Sequence, residues 1–275
     1  MKKQLILLVF LFTLIPTIPA FAQIEDEELE EIYIDKMSRA QIEQVIIKVR
    51  NQTFKNYVEG TEVYNISHHA VLGDTIELIS SKEDFDISIF FKTKKLNKTV
   101  KPHAKNLYKI NEEFFGRYSF NDSPIYWLTE FVIRKYVNVP DLDFLHNFPE
   151  YDFHRTVKDG ITRIDFFSDN IYEGYFTFDK YYNLHKVVFE LIKPYPIDHS
   201  QTRNGKKMFD KNWLYTKEKV SISFGLNAQK NLYIKEMTAE EIIENYNFSR
   251  YNSKRELLIE DKDLKFNSEL IFIKK

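Results

Sequence analysis

From Glu62 to the C-terminus, segment after segment alternates apolar and polar residues with a period of two, and this repetition restricts the chain to a sheet-dominated fold. Val63-Tyr64-Asn65-Ile66-Ser67-His68 and Thr75-Ile76-Glu77-Leu78-Ile79 flank Gly73-Asp74, which predicts a hairpin. Ile87, Ile89 and Phe91 alternate with Asp86, Ser88 and Lys92 in a further strand. Arg163 to Phe167, Tyr172 to Phe178 and Leu184 to Leu191 are separated by Ser168-Asp169-Asn170 and by Asp179 to Asn183, which predicts a meander. After a long loop marked by Pro194, Pro196 and Asn204-Gly205, Lys219 to Phe224 and Leu232 to Met237 flank Gly225-Leu226-Asn227. Val220, Ile222 and Phe224 alternate there with Lys219, Ser221 and Ser223, so one sheet face is wet. Thr238 and Glu241 have capping-box spacing, and the stretch through Phe248 reads equally as a short helix or a strand. Glu256 to Glu260 and Leu270 to Ile273 are the last candidate strands.

Two helices interrupt the alternation. Ser38 and Gln41 form a capping box, and Ile42, Val45, Ile46 and Val49 fall on one helical face, predicting a helix over 38–57. Asp122-Ser123-Pro124 starts a second, continued by Ile125, Leu128, Val132 and Tyr136 to about Val137 and ended before Pro140.

The aromatic content is what the sheet must accommodate: 24 Phe, 17 Tyr and 2 Trp make up 16 % of the chain. Rings suit a pleated, half-buried surface, yet these exceed the needs of one face, and the strand at 172–178 carries them on both. Either they pack a core, or a curved sheet clasps an apolar ligand under the helices, with Phe91, Trp127, Phe131, Phe166, Phe176, Phe178 and Phe189 as the candidate lining.

The N-terminus reads as an export signal: Met1-Lys2-Lys3 is basic, Leu5 to Ile15 apolar, and Ala20-Phe21-Ala22 a small-x-small cleavage site. Pro16 and Pro19 cut the apolar run well short of the roughly 20 residues that span a bilayer, and no later segment reaches that length. The expected organisation is a signal peptide at 1–22, an acidic flexible leader at 23–37 and a single globular domain at 38–275. With no cysteine in the chain, disulfides, thiolate chemistry and a lipid-modified cysteine are excluded. An exported cysteine-free chain points to the periplasm or outer-membrane periphery of a Gram-negative bacterium.

Several chemistries lack their residues. A net charge of −2 argues against a nucleic-acid partner. The seven glycines form no phosphate-binding loop. The seven histidines show no metal-ligand spacing, and His68-His69, adjacent on a strand, point to opposite faces. Asp152 and His154 share a face but have no nucleophile elbow to serve. Glu27-Glu28 and Glu240-Glu241 read as ordinary surface pairs. No cofactor is expected, and the chain reads as non-enzymatic. The outstanding polar feature is a run without a single acid from Lys92 to Lys109, in which Lys92, Lys94, Lys95, Lys98 and Lys101 are candidates to meet an anionic group. The plainer explanation is an edge strand that lysine protects against pairing.

Asp141-Leu142-Asp143-Phe144-Leu145, Tyr151-Asp152-Phe153, Ile164-Asp165-Phe166, Tyr172-Glu173-Gly174-Tyr175-Phe176-Thr177-Phe178-Asp179 and Leu184-His185-Lys186-Val187-Val188-Phe189 together carry a resemblance, as does the first helix ending in Asn56-Tyr57. This half of the mature chain resembles uncharacterised exported envelope proteins of Bacteroidetes that accompany carboxypeptidase-regulatory-like domains. Their meander is similar to the half-barrel sheet of lipoprotein carriers such as LolA and LolB. The resemblance implies a fold, and no catalytic residue transfers with it. The expectation is therefore an α+β domain, a curved antiparallel sheet of roughly eight to eleven strands with two helices on its concave face. Its expected role is binding a lipid or other amphiphile; the alternative is a protein-interaction or scaffolding module at the outer membrane with an envelope protein as partner.

Overall fold

Ser38 opens the first helix as its spacing to Gln41 predicts: the Gln41 N–H donates to Ser38 Oγ at 3.4 Å and the Ser38 N–H to Gln41 Oε1 at 2.7 Å. The helix, α1, spans Arg39–Asn56 and buries Ile42, Ile46, Val49 and Thr53. The computed structural model describes residues 33–57, 60–73, 76–92, 95–102, 129, 132–133, 135–137, 139–146, 151–169, 171–196, 202–203, 206–207, 214–251 and 257–275, all within one compact unit, Tyr33–Lys275. The signal segment, leader residues 23–32, Lys94, the Asp122-Ser123-Pro124 helix start, Trp127 and Phe131 lie outside the described residues.

In chain order the strands are β1 (Tyr33–Lys36), β2 (Gly60–Leu72), β3 (Ile76–Lys92), β4 (Lys95–Pro102), β5 (Asp152–Lys158), β6 (Ile161–Phe167), β7 (Tyr172–Asp179) and β8 (Leu184–Leu191). The short β9 (Tyr195–Pro196), β10 (Thr202–Arg203) and β11 (Lys206–Lys207) precede the long β12 (Leu214–Leu226), β13 (Leu232–Tyr251) and β14 (Leu257–Lys274). One 12-stranded sheet runs in the order β1-β5-β6-β7-β8-β12-β13-β14-β2-β3-β4, with β9 added beside β12 and every pair antiparallel. The sheet is open and curved, with β1 and β4 as its two ends.

Helical structure gathers against one face. Residues 129, 132, 133, 135 and 136 are helical, followed by a 3-10 turn at Val139–Asp141 and the one-turn α2 at Asp143–His146. Against that face lie Tyr64, Ile66 and Leu72 of β2, Phe85 and Ile87 of β3, Ile164 and Phe166 of β6, and Phe176 and Phe178 of β7. Val187 and Phe189 of β8, Val220 and Ile222 of β12, Ile234 and Met237 of β13, and Leu270 and Phe272 of β14 complete the apolar surface. Many positions between them are polar and form cross-strand ion pairs such as Lys219–Glu190 at 3.0 Å and Lys274–Glu62 at 2.9 Å, while Phe167, Ile271 and Ile273 are exposed apolar ones. No described helix is long and apolar enough to cross a membrane.

Two glycines are required by the geometry. Asp159-Gly160 joins β5 to β6 with φ of 51° and 74°, the two positive values of a tight hairpin turn. At Gly174 a Cβ would lie 2.1 Å from the Val188 carbonyl oxygen, so only glycine lets β7 approach β8 there.

The structure corrects several expected boundaries. Tyr33–Lys36, read as the end of the acidic leader, pair with β5, and Asp35 binds Arg155 at 3.0 Å. The two strands expected around 75–79 and 87–91 are one, β3, because the polar residues Ser80 to Asp84 stay in register with β2. Thr238 to Phe248 is strand: pairing with β12 on one side and β14 on the other overrides the local capping signal. The last two candidate strands likewise merge into β14.

Candidate functional site

Charged residues at inward positions of β12 and β13 mark the site. Glu218 shares the inward side with Val220 and Ile222, Glu241 with Ala239 and Ile243, and the strand register sets the two carboxylates opposite one another. Opposed like charges destabilise a sheet. Here Lys135, from the helical residues above, answers both: its Nζ lies 2.7 Å from Glu218 Oε1 and 2.7 Å from Glu241 Oε1. Tyr136 points its hydroxyl at the same two oxygens, at 2.7 and 2.5 Å. The other Glu218 oxygen accepts from Tyr172 of β7 at 2.6 Å and from Tyr195 of β9 at 3.2 Å. The Tyr215 ring supports the lysine from below, its centroid 4.0 Å from Nζ.

Burial separates the members. Glu218 and Glu241 side chains are 1 % and 3 % exposed, whereas Lys135 is 24 % exposed. Burial pushes the Glu218 carboxyl up, but Lys135 and the donated hydrogen bonds outweigh it and hold the group below the usual carboxylate value. For Lys135 burial works downward, and Glu241 with Glu218 overcomes it to raise the amine well above an ordinary lysine. Burial, then the carboxylates, raises Tyr136 and Tyr172 as well, and pushes Tyr195 up to about 12. The lysine is thus held as a cation and the tyrosines as donors.

A second polar contact fixes the same helical residues. His68 on β2 is 1 % exposed; its Nδ1 lies 2.8 Å from Thr129 Oγ1 and its Nε2 3.0 Å from Ser268 Oγ on β14. Burial, with His69 next to it, lowers its pKa to about 4. Thr129 thus sits at the β2–β14 boundary and Lys135 and Tyr136 at the β13–β12 boundary, and Thr129, Val132, Ile133, Tyr136 and Val137 are all buried.

The aromatic residues nominated from sequence are distributed as follows. Phe166, Phe176, Phe178 and Phe189 are all buried on the helix-facing side. They pack on the protein's own rings: Phe144 on Phe166 at 5.8 Å and on Phe189 at 5.1 Å, Phe176 on Phe178 at 6.0 Å, Phe178 on Tyr182 at 5.5 Å. Phe91 belongs to β3. Lys92 ends β3, while Lys95, Lys98 and Lys101 lie on the edge strand β4, where the register sets Lys92 opposite Lys95 and Lys101 opposite Asp86. The edge position agrees with the protective reading of the lysine run.

Glu241 corrects the sequence reading of Glu240-Glu241 as a surface pair. Only Glu240 faces out, to Lys217 at 2.5 Å. Glu218, Lys135, Tyr136 and Tyr172 had no place among the sequence candidates; the available signal was an acid at an inward position of an alternating strand. His68 and His69 do diverge, His69 lying exposed 3.4 Å from Glu77. Among the described residues no group of three or more His, Asp or Glu side chains is placed to hold a metal ion. On the opposite sheet face, an open groove of about 360 Å³ is lined by Arg163, Asp165, Phe167, Glu173, Tyr175 and Glu190, with Arg163 lying over the Tyr175 ring at 3.8 Å.

No family model, no curated protein and no solved structure matches this chain. The cluster has therefore to be read from its own chemistry. Glu218 is saturated by donors, and Lys135 is held protonated, so neither is disposed as a base or nucleophile. What the arrangement offers is a fixed cation and a hydroxyl donor beside an apolar face.

Proposed function

We propose that the chain is an exported envelope protein that binds, without converting, an apolar or amphiphilic ligand such as a lipid or acyl chain between its sheet and the helices above it. The observation that carries this reading is the architecture: an open sheet, unclosed between β1 and β4, presents a mainly apolar face under a helical cover, broken by the inward Glu218, Glu241, His68 and Ser268. Side-chain pins at Thr129, Lys135 and Tyr136 hold the helical part of that cover. Phe166, Phe176, Phe178 and Phe189 form the floor that the ligand meets once the cover shifts. The β4 edge, with Lys95, Lys98 and Lys101 and with Lys92 of β3 opposite Lys95, meets acidic groups of the envelope.

Titration of the mature protein with an uncharged environment-sensitive probe, N-phenyl-1-naphthylamine, tests this. Saturable fluorescence enhancement at micromolar protein is expected; a flat response across the titration refutes the reading. A second reading, a scaffolding module at the outer membrane, is favoured by Ile271 and Ile273, both 45 % exposed on the outward side of β14. Recovery of one stoichiometric envelope protein that Ile271→Lys abolishes would select it.

A further inference from the structure

We propose that Lys135 and Tyr136 form the headgroup site for a carboxylate-bearing amphiphile, and that Glu241 occupies this site as an internal stand-in while no ligand is bound. The inference rests on the ligand reading above and names the chemistry by which that ligand is held.

The two carboxylates of the cluster are not held alike. Glu218 is gripped through both oxygens, by Lys135 and Tyr136 on Oε1 and by Tyr172 and Tyr195 on Oε2. Glu241 is held through Oε1 alone among the described residues, by Lys135 Nζ at 2.7 Å and the Tyr136 hydroxyl at 2.5 Å. Glu218 is therefore the anchor and Glu241 the exchangeable partner. An entering carboxylate finds in these two donors the same ammonium and the same hydroxyl, and the exchange leaves the charge beside Lys135 unchanged when the Glu241 side chain, tethered to β13, swings out toward solvent as the ligand enters. The cost of withdrawing the lysine from water is already met in the unliganded protein, where Glu218 and the Tyr215 ring hold it in place.

Access and the apolar path agree with this. Lys135 is the one member of the ion cluster with substantial exposure, 24 %, so a headgroup approaching from solvent meets it first. Val132, Ile133 and Val137 are buried under the helical cover, and with Phe144 and Phe189 beside Tyr172 they are the apolar groups an acyl chain meets next to the headgroup once that cover shifts. A neutral lipid gains nothing from the two donors, because displacing Glu241 without replacing its charge leaves Lys135 with one carboxylate fewer.

The test compares cis-parinaric acid with its methyl ester on the wild-type protein, which requires no variant to fold. The free acid is expected to bind about tenfold or more tightly than the ester, the difference made by two charge-assisted hydrogen bonds. Glu241→Gln should tighten binding of the acid, because the competing carboxylate is gone. Lys135→Arg should retain the preference for the acid, and Lys135→Met should abolish it if circular dichroism shows the variant folded. Equal binding of acid and ester to the wild type overturns the headgroup site while the apolar reading stands. Binding of neither, with no response to N-phenyl-1-naphthylamine, overturns both.

Discussion

His68→Gln, followed against pH, reads the helix-to-sheet contact directly. The wild-type imidazole is buried between Thr129 and Ser268 and has its pKa lowered to about 4 from an ordinary 6.5. Because the folded value is the lower one, the unfolded chain takes up a proton below pH 6.5 while the folded protein refuses it until about pH 4. Stability is full above that window, falls through it, and has no further histidine contribution to lose below it. At about 1.4 kcal/mol per pH unit the loss amounts to about 3 kcal/mol. Glu218, held low, loses stabilisation in the same direction as pH falls, so the difference between wild type and variant is the informative quantity. At pH 7 the variant gives up one or both hydrogen bonds and is less stable by about 1–2 kcal/mol. It has no imidazole to protonate, so urea denaturation at half-unit pH steps should show the two stability curves crossing, with the variant the more stable at pH 4. Parallel curves would refute the assignment of His68 as a neutral bridge.

Three further outcomes follow from individual contacts. Lys135→Met leaves Glu218 and Glu241 opposed without a counter-charge and should cost about 3–5 kcal/mol in urea denaturation at pH 7; a loss under about 1 kcal/mol would mean that the lysine is not their partner. Gly174→Ala forces a methyl group onto the Val188 carbonyl and should destabilise by about 3 kcal/mol or more, seen as a lowered thermal midpoint, whereas a wild-type midpoint would contradict the close approach of β7 to β8. Ser38→Ala removes half of the capping box and should cost about 1 kcal/mol, with amide exchange accelerated in the first turn of α1 and unchanged in β7.

Local signals gave away those elements whose determinants are local. The Ser38–Gln41 spacing located the start of α1, the alternation at Val220 to Phe224 identified the buried side of β12, and Gly73 the β2–β3 turn. Elements shaped by partners far along the chain were hidden. The continuity of β3 through Ser80 to Asp84 depends on β2, and the strand state of Thr238 to Phe248 on two neighbours at once. The cluster was hidden for the same reason: Lys135 meets Glu241 across 106 residues, and Glu218 faces Glu241 only through the β12–β13 register. A bulge between Tyr215 and Lys217 shifts the phase of β12, so Tyr215 and Glu218 share the inward side despite their odd spacing. Even so, an acid between Ala239 and Ile243 on an alternating strand is a visible anomaly, since charges are rarely buried without a partner.

Native mass spectrometry of the mature protein, taken without detergent from the periplasm of a Gram-negative host, puts the central claim to its most direct test. A population heavier than the bare polypeptide by the mass of one acyl-chain amphiphile, released on gentle collisional activation, is expected. A spectrum holding only the bare polypeptide under the mildest conditions, unchanged after incubation with excess fatty acid, would contradict it.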